Sequence, residues 1–428
     1  MSRILLQGGR MVDPASEHDA VTDVLIEDET IEAVGDADAR GAEVLDCEGL
    51  VIAPGFVDLH AHLREPGRED AETVETGSRA AALGGFTAIC AMPNTDPVAD
   101  TLAVILEVRN LADKAGLVDV HPAAAITRGL EGERITEIAE MAQAGVRMFT
   151  DDHNCVQSAQ VMRMALEYAK AFDVVISQHA QEATLSEGWQ MHEGYHSALL
   201  GLRGVPGEAE AVIVARDLLL AGLTGGRLHV THTSSALSVD LVRGGKGRGL
   251  RVTADVTPHH LTFSAEDLQD YDTNLRVNPP LRTPEDRDAL RAAARDGTID
   301  AVATDHAPHA VEDKEVEFDQ ARPGTTGLET ALSATLEALD GDLPAVVARM
   351  SSSPARILGL LDEHGGPVTP GRPANLAVFD PAAEWTAGER PFASKGRNSA
   401  FLGRTLRGRV LHTIRRGDFT VRDGEATR

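Results

Sequence analysis

Residues 51–67 read VIAPGFVDLHAHLREPG, an apolar run that leads into two histidines separated by one residue. Because side chains alternate between the two faces of an extended strand, His60 and His62 point the same way. Two imidazoles aimed at one point can form half of a divalent-metal site, although paired histidines also occur on solvated strand faces. Arg64, two residues further on, offers a planar guanidinium for a carboxylate beside that metal. The stretch therefore predicts a metal site with an anion-binding group next to it.

Short apolar runs recur from about residue 55 to 345, and helix-like segments rich in Ala, Leu, Glu and Arg separate them. The eight runs lie at residues 56–60, 87–92, 118–121, 146–149, 174–177, 228–231, 250–254 and 299–303. Near-continuous apolar strands are what a parallel sheet covered on both faces requires. Eight of them predict an α/β fold of the (β/α)8 TIM-like barrel type. A doubly wound open sheet is the alternative, but no glycine-rich phosphate loop follows the first run.

The two chain ends have a different character. Residues 3 to about 52 read as short strands broken by Gly, Pro and Asp, with no helical pattern between them. Extended-looking runs return after about residue 365, at residues 375–379 and 410–415. We therefore predict a composite β-sandwich built from residues 1–54 and 365–428, beside a barrel domain of residues 55–364.

Composition restricts the partners and the location. With 428 residues and 42% hydrophobic content, the chain can bury a large core. The formal net charge of -27 argues against nucleic-acid or anionic-membrane partners, and it requires locally placed cations for any anionic substrate. The three cysteines are far apart and lack metal-site spacing, which indicates a reduced protein. The N-terminus is unlike a signal peptide and no apolar run could span a bilayer, so we expect a cytoplasmic protein.

Potential metal ligands follow five of the eight apolar runs, at the strand ends where barrel enzymes carry their functional side chains. They are His60 and His62 after the first run, Asp151 and Asp152 after the fourth, His179 after the fifth, His232 after the sixth, and Asp305 with His306 and His309 after the eighth. A single histidine at a strand end is more often a hydrogen-bonded structural residue, and acidic pairs often cap loops. The whole set, however, predicts one metal centre.

Four further stretches make the chain recognisable. They are residues 91–95 (AMPNT), 277–282 (VNPPLR), 304–309 (TDHAPH) and 327–332 (GLETAL). Together with residues 58–67, they resemble the class I dihydroorotase family of the amidohydrolase superfamily across essentially the whole chain. Members of that family hydrolyse dihydroorotate to N-carbamoyl-L-aspartate reversibly, in pyrimidine (UMP) biosynthesis. The resemblance implies a zinc-dependent cyclic amide hydrolase with two Zn2+ per subunit.

The resemblance also implies the ligand set. One zinc would bind His60, His62, Asp152 and Asp305, and the other would bind Asp152, His179 and His232. Many relatives bridge their metals with a carboxylated lysine, but none of the five lysines lies at the end of the fourth strand. Asp152 is therefore the implied bridge, with Asp151 as its competitor. Asp305 would also be the catalytic group that moves the proton.

Substrate-binding residues follow from the same family positions. Arg64, Asn94 and His309 would bind the substrate carboxylate, Asn278 and the backbone of Pro323 and Gly324 would contact the ring, and His62 would contact substrate beside its metal. The alternatives to a role in substrate binding are that Arg64 is a surface arginine, that Asn94 is a turn residue and that His309 only supports other residues. Residues 310–326 are polar and read as a mobile loop over the site.

Several alternatives stay open from the sequence. A hydantoinase, dihydropyrimidinase or allantoinase would share the metal ligands but not the carboxylate-binding residues. A catalytically silent scaffold for aspartate transcarbamoylase is a second alternative, although such proteins typically lose ligands. His153 stands where relatives usually carry glycine, so a third metal ligand there is conceivable. The expected partners are a small-molecule substrate and a second copy of the chain, with a dimer favoured, and association with aspartate transcarbamoylase is a further expectation.

Overall fold

The computed structural model describes residues 3–428, which form an α/β structure. The strands are β1 Arg3–Asp13, β2 His18–Glu27, β3 Thr30–Val34, β4 Glu43–Asp46, β5 Val51–Pro54, β6 Phe56–Ala61, β7 Phe86–Ala91, β8 Asp119–Pro122, β9 Met148–Phe149, β10 Val175–Gln178, β11 Met191–His192, β12 Gly204–Val205, β13 Arg227–Val230, β14 Val252–Val256, β15 Ala301–Val302, β16 Leu376–Thr386, β17 Thr405–Arg415, β18 Asp418–Arg422 and β19 Glu425–Ala426.

Helices occupy most of the chain between the strands of the central region. They are α1 Val74–Leu83, α2 Leu102–Ala115, α3 Ile138–Gln143, α4 Ala159–Lys170, α5 Tyr195–Leu200, α6 Glu208–Thr224, α7 Ala236–Gly247, α8 Pro258–Thr262, α9 Pro284–Asp296, α10 Val311–Lys314, α11 Ala331–Ala338, α12 Leu343–Val347 and α13 Ser353–Leu358. Short 3-10 turns lie at Arg128–Leu130, Ala265–Asp267 and Thr273–Leu275, and a π-helical turn lies at Ala348–Ser352.

The central strands are parallel and follow one another in chain order. Strands β6, β7 and β8 form one sheet, and β9, β10, β13, β14 and β15 form another. Isolated parallel bridges join Ala124 to Phe149 and Ala61 to His306. Each of the eight predicted runs overlaps one of these strands, so the prediction of an α/β fold is confirmed. The small parallel pair of β11 and β12 was not expected from the sequence.

Strands from both chain ends join one nine-stranded sheet, in which β5 pairs antiparallel with β16. Leu376 opposes Pro54 and Phe379 opposes Val51 across this pair. Ile52, Leu376 and Val378 are fully buried in its core. The pairing places the chain immediately before β6 beside the C-terminal segment, and so positions the first central strand.

Burial explains why the central strands are so apolar. Every residue of β6 and β7 is buried, on both faces of the sheet. Phe56 and Phe86 meet edge to face with ring centroids 5.9 Å apart. The helices cover the outside, and α4 buries Met162, Leu166 and Ala169 on one face. Most side chains inside these strands are therefore apolar, and the buried Asp58 within β6 accepts hydrogen bonds from Thr304.

Local signals in the sequence set the limits of the helices. At α9 the Thr283 hydroxyl accepts from the Asp286 N–H at 3.2 Å, and the Asp286 carboxylate accepts from the Thr283 N–H at 3.2 Å. Pro284 occupies the first turn, where its missing N–H costs nothing. Gly297 ends the helix with φ 86, a left-handed conformation that glycine adopts without steric cost. Within residues 3–428, no helix is both long enough and apolar enough to cross a membrane.

Candidate metal centre and active site

Six predicted ligands converge at the carboxyl ends of the parallel strands, and all of them are buried. They are His60 and His62 at β6, Asp152 after β9, His179 after β10, His232 after β13 and Asp305 after β15. Donor atoms of His60, His62 and Asp152 all lie within 4.8 Å of one another. Residues separated by almost 250 positions in the chain thus face one small volume.

Two carboxylates face the paired histidines. His60 Nε2 lies 3.2 Å from Asp152 Oδ1 and 3.5 Å from Asp305 Oδ1, and His62 Nε2 lies 3.5 Å from the same Asp305 oxygen. His60 Nε2 is buried and makes no hydrogen bond. Burial opposes the charged imidazole, but Asp152 and Asp305 outweigh it and raise the pKa of His60 to about 9. The space between these groups therefore favours positive charge, and the donor set fits a divalent cation such as zinc.

Hydrogen bonds on the far side of each ring direct its Nε2 toward the centre. The Thr231 hydroxyl donates to Asp255 Oδ2 at 3.1 Å, so its oxygen is left to accept from His60 Nδ1 at 3.2 Å. The Asn94 amide nitrogen donates to Asp152 Oδ2 at 2.8 Å, so its oxygen accepts from His62 Nδ1 at 2.9 Å. Both imidazoles therefore keep a hydrogen on Nδ1, so Nε2 is the atom of each ring that can give its lone pair to a metal.

A second pair of ring nitrogens belongs to His179 and His232, which line the same cavity as Asp152. His179 Nδ1 is 3.0 Å from His232 Nε2, the spacing of two ligands that aim at one ion. Gln181 Oε1 accepts from His179 Nε2 at 2.7 Å, which leaves the lone pair on Nδ1. Asp255 accepts the backbone N–H of His232, which fixes the start of that loop. The arrangement can hold a second cation.

The structure distinguishes the two aspartates after β9. Asp151 turns away from the centre, because its carboxylate accepts the Thr127 N–H at 2.8 Å and contacts the Thr127 hydroxyl. Asp152 faces the histidines, and its pKa is held well below the usual value: burial opposes ionisation, but His62, His153 and His60 favour it more strongly. His153 is half exposed and places Nδ1 3.0 Å from Asp152 Oδ2.

Four of the twelve non-glycine residues with positive φ among residues 3–428 lie at this site. Arg64, Asp152, His232 and Asp305 all have positive φ, at 61, 52, 38 and 46. L-residues other than Asn and Asp rarely adopt this region, and strained residues cluster at functional sites. The tight turns direct the side chains back over the strand ends.

A cavity of about 230 Å³ adjoins the cluster and contains the predicted substrate-binding residues. They are Arg64, Asn94, Asn278, His309, Pro323 and Gly324. Arg64 Nε donates to the Pro308 carbonyl at 3.1 Å, which orients the rest of the guanidinium. Asn278 Oδ1 and His309 Nδ1 are buried without partners, whereas His309 Nε2 donates to the Pro323 carbonyl at 2.9 Å. Buried polar atoms without hydrogen-bond partners, next to the Arg64 guanidinium, are suited to a polar ligand that carries a negative charge.

The predicted loop of residues 310–326 forms one wall of this cavity. It contains α10, and the buried Lys314 Nζ donates to the carbonyls of Arg322 and Gly324 at 2.9 and 3.0 Å. Asn398 Nδ2 donates to the same Gly324 carbonyl at 3.1 Å. The loop backbone beside the cavity is therefore held by side chains from two separate segments.

Sequence reasoning missed three residues that support this site: Gln181, Thr231 and Asp255. Asp255 offered a signal, because a carboxylate inside the otherwise apolar strand β14 needs buried partners. It accepts from His229 Nε2 at 2.7 Å as well as from Thr231 and the His232 backbone. Gln181 and Thr231 gave no signal, because their roles depend on contacts between strands.

The amino-acid sequence is similar to those of known proteins over its whole length. Residues 49–238 match the family model described as Dihydro-orotase-like. The chain is 50% identical over 434 residues to the dihydroorotase of Streptomyces coelicolor, covering 100% of both proteins. It is 53% identical over 412 residues to the dihydroorotase of Leifsonia xyli subsp. xyli, covering 94% of this chain and 93% of that protein.

Solved structures are similar in fold at lower identity. The L-hydantoinase (dihydropyrimidinase) from Arthrobacter aurescens superposes with a TM-score of 0.88 at 26% identity, covering 100% of this chain and 98% of that one. The dihydropyrimidinase from Brevibacillus agri gives a TM-score of 0.84 at 22% identity, covering 99% and 96%. These similarities show that the chain shares the overall fold of these two enzymes.

Proposed function

This chain belongs to the dihydro-orotase-like family, and we propose on that basis that it is a dihydroorotase. It interconverts (S)-dihydroorotate and N-carbamoyl-L-aspartate in the biosynthesis of pyrimidines. The observation that carries this assignment is about 50% identity over the full length to relatives of that name. A hydantoinase is not favoured, because similarity to hydantoinases is limited to 21–26% identity among the structures compared.

A second proposal concerns how the two parallel sheets are arranged. We propose that they close into one (β/α)8 barrel of residues 55–364, with a β-sandwich formed by residues 1–54 and 365–428. The isolated bridges from Ala61 to His306 and from Ala124 to Phe149 support closure, because they link the edges of the two sheets in strand order. The pairing of β5 with β16 supports the composite domain.

The metal proposal is two Zn2+ per subunit, with Asp152 as the shared ligand. His60, His62 and Asp305 would complete one position, and His179 and His232 would complete the other. The support is the convergence of lone pairs described above, with unpartnered His60 Nε2 among them. Bound metal ions acidify water and polarise an amide carbonyl, which supplies the nucleophile at neutral pH.

The chain's own residues provide the remaining chemistry. The Asp305 carboxylate takes the proton from the attacking water and delivers it to the ring nitrogen that leaves. Its pKa is held below the usual value, because His62 and His60 outweigh the effect of burial, so it starts the cycle ionised.

The residues that line the cavity orient the substrate. Arg64 pairs with the substrate carboxylate, and Asn94 and His309 line the same part of the cavity. Asn278 and the backbone of Pro323 and Gly324 contact the ring amide, and His62 lies beside the reacting carbonyl. The Asn94 amide is hydrogen-bonded to His62 and to Asp152. Asn94 therefore lies between these two predicted metal ligands and the cavity. Arg64 excludes ring substrates without a carboxylate, because they leave a half-buried guanidinium unpaired.

Assembly and location are further parts of the proposal. We propose a homodimer, supported by the exposed apolar side chains Val212, Leu219 and Leu223 along α6. Association with aspartate transcarbamoylase remains compatible with catalysis, because no predicted ligand is replaced. The three cysteines are free and buried, which suits the reducing cytoplasm. Native mass measurement with and without the transcarbamoylase tests both assemblies.

Metal analysis of the purified protein, combined with assays on dihydroorotate and on hydantoin, tests the function. We expect two zinc ions per chain and hydrolysis of dihydroorotate, with hydantoin a poor substrate. Equal rates on the two rings would refute the assignment. A metal-loaded protein inactive on both rings would support the scaffold alternative instead.

A further inference from the structure

Two arginines share one carboxylate at the mouth of the substrate cavity. Arg68 Nη2 lies 2.9 Å from Asp313 Oδ2, and Arg322 Nε lies 3.1 Å from Asp313 Oδ1. Both arginines line the cavity that contains Arg64. We refer to Arg68, Asp313 and Arg322 as the rim triad. Within the triad two cations face one anion, and a second carboxylate, that of Asp70, lies 3.9 Å from Arg68 Nη2.

The triad joins two loops of the chain. Arg68 lies in the loop after β6, where its N–H donates to the Arg64 carbonyl at 3.0 Å. Asp313 belongs to α10, and Arg322 lies near the end of the same loop, where its N–H donates to the Asp313 carbonyl at 3.0 Å. The Arg322 side chain is 56% exposed and that of Arg68 is 27% exposed. The two guanidinium groups are therefore both fixed in place and open to solvent.

This placement is unusual for a chain of formal net charge -27. A ligand that approaches the cavity meets Arg68 and Arg322 before it meets the more deeply placed Arg64. A cleft lined by one sign of charge concentrates the opposite charge, even when the whole molecule repels it.

We propose that Arg68 and Arg322, fixed by Asp313, are specificity-determining residues that favour the ligand with the larger negative charge. The inference rests on the proposed function, in which the two reactants differ by one charge. Hydrolysis breaks the ring C–N bond, forms a C–O bond and leaves a second carboxylate. Dihydroorotate is thus a monoanion near neutral pH, and N-carbamoyl-L-aspartate is a dianion.

Electrostatic energy scales with ligand charge, so the two reactants respond differently to loss of one rim cation. Removal of a unit charge several ångströms away in water changes the affinity for a monoanion by roughly two- to threefold. The affinity for a dianion changes by the square of that factor, roughly four- to ninefold. A purely structural role in closing the loop would change both affinities equally.

The test uses the full zinc-loaded protein with Arg322→Gln and Arg68→Gln, assayed in both directions at low and high salt. We expect KM for N-carbamoyl-L-aspartate to rise by about the square of the factor found for dihydroorotate at low ionic strength. The difference should shrink at about 1 M salt, because screening then acts within a few ångströms. The ratio kcat/KM must fall equally in both directions, because their quotient is the equilibrium constant, and this checks the data.

Arg163→Gln is the matched control. Arg163 is 52% exposed and pairs with Glu167 at 2.9 Å on α4, outside the substrate cavity. We expect it to leave both KM values unchanged. Equal rises in the two KM values for both rim variants, or the same pattern in Arg163→Gln, would overturn the inference. Wild-type activity, measured first, separates this outcome from failure of the proposed function.

Discussion

His306 Nε2 lies 3.2 Å from Glu72 Oε2, and both side chains are fully buried. The Gly327 N–H donates to His306 Nδ1 at 3.2 Å, so the hydrogen of this imidazole is on Nε2 and is donated to Glu72. The His306 backbone carbonyl accepts the His62 N–H at 2.8 Å. The buried pair thus fixes the residue that joins the first and last central strands, next to Asp305.

Glu72→Gln should destabilise the protein strongly without changing its volume. The Glu72 carboxylate accepts from His306, from the Lys395 N–H at 3.1 Å and from the Ser394 hydroxyl, and an amide NH2 cannot replace it toward all of them. Leaving buried donors unpaired should lower the free energy of unfolding by roughly 2–4 kcal/mol, measured by urea denaturation.

Glu75→Gln is the control for this change. Glu75 lies three residues further along, half exposed, in an i,i+4 pair with Arg79. Its loss should cost about 0.5 kcal/mol or less. Similar losses for the two variants would show that Glu72 does not stabilise the site region through buried contacts.

Arg64→Met should raise KM for dihydroorotate by roughly 10- to 100-fold, because the substrate carboxylate loses its charged partner. Zinc content should stay unchanged, since Arg64 contributes no ligand. Steady-state kinetics and metal analysis on the same preparation give both values. Arg128→Met removes an exposed arginine paired with Glu137 and should leave KM as it is. A wild-type KM in Arg64→Met would rule out the carboxylate role.

Thr231→Val should weaken zinc binding by roughly 10- to 100-fold, as losses of hydrogen bonds behind ligand histidines do. The reason is that the Thr231 oxygen accepts from His60 Nδ1 and so keeps the Nε2 lone pair directed at the metal. Competition with a chromophoric chelator measures the affinity.

Thr335→Val provides the isosteric comparison, because the buried Thr335 hydroxyl donates only to the Ala331 carbonyl within α11. Its zinc affinity should match that of the unmodified protein. Equal zinc affinity in Thr231→Val would mean that the orientation of His60 is set by its strand alone.

Glu329 should make stability depend on pH. Burial raises the pKa of Glu329 to about 7 from an ordinary value of 4.5. Below pH 4.5 the carboxyl is protonated in the folded and unfolded states, and its contribution to stability is complete. As the pH rises through about 7 the unfolded chain ionises first, so this contribution is lost.

The expected loss is up to about 3 kcal/mol of unfolding free energy between pH 4.5 and 8, relative to Glu329→Gln. Denaturant titrations at several pH values measure the difference between the two proteins. Glu167→Gln, on the exposed face of α4, is the charge-matched control. Parallel pH profiles for Glu329→Gln and the unmodified protein would contradict the prediction.

Much of the α/β arrangement could be predicted, because strand burial leaves a direct mark on the sequence. A strand buried on both faces is mostly apolar, and each of the eight such runs overlaps a strand. The pair β11 and β12 escaped prediction because each strand has two residues, too few to establish a period.

The identities of the candidate ligands were also readable from the chain, because imidazole and carboxylate groups at strand ends have few purely structural uses in combination. Their arrangement was not. Only the folded chain places Asp152 among the histidines while Thr127 binds Asp151, and only it sets Asn94 between His62 and Asp152. These outcomes depend on contacts between distant strands, and hydrogen-bond geometry at that range leaves no periodic trace in the sequence.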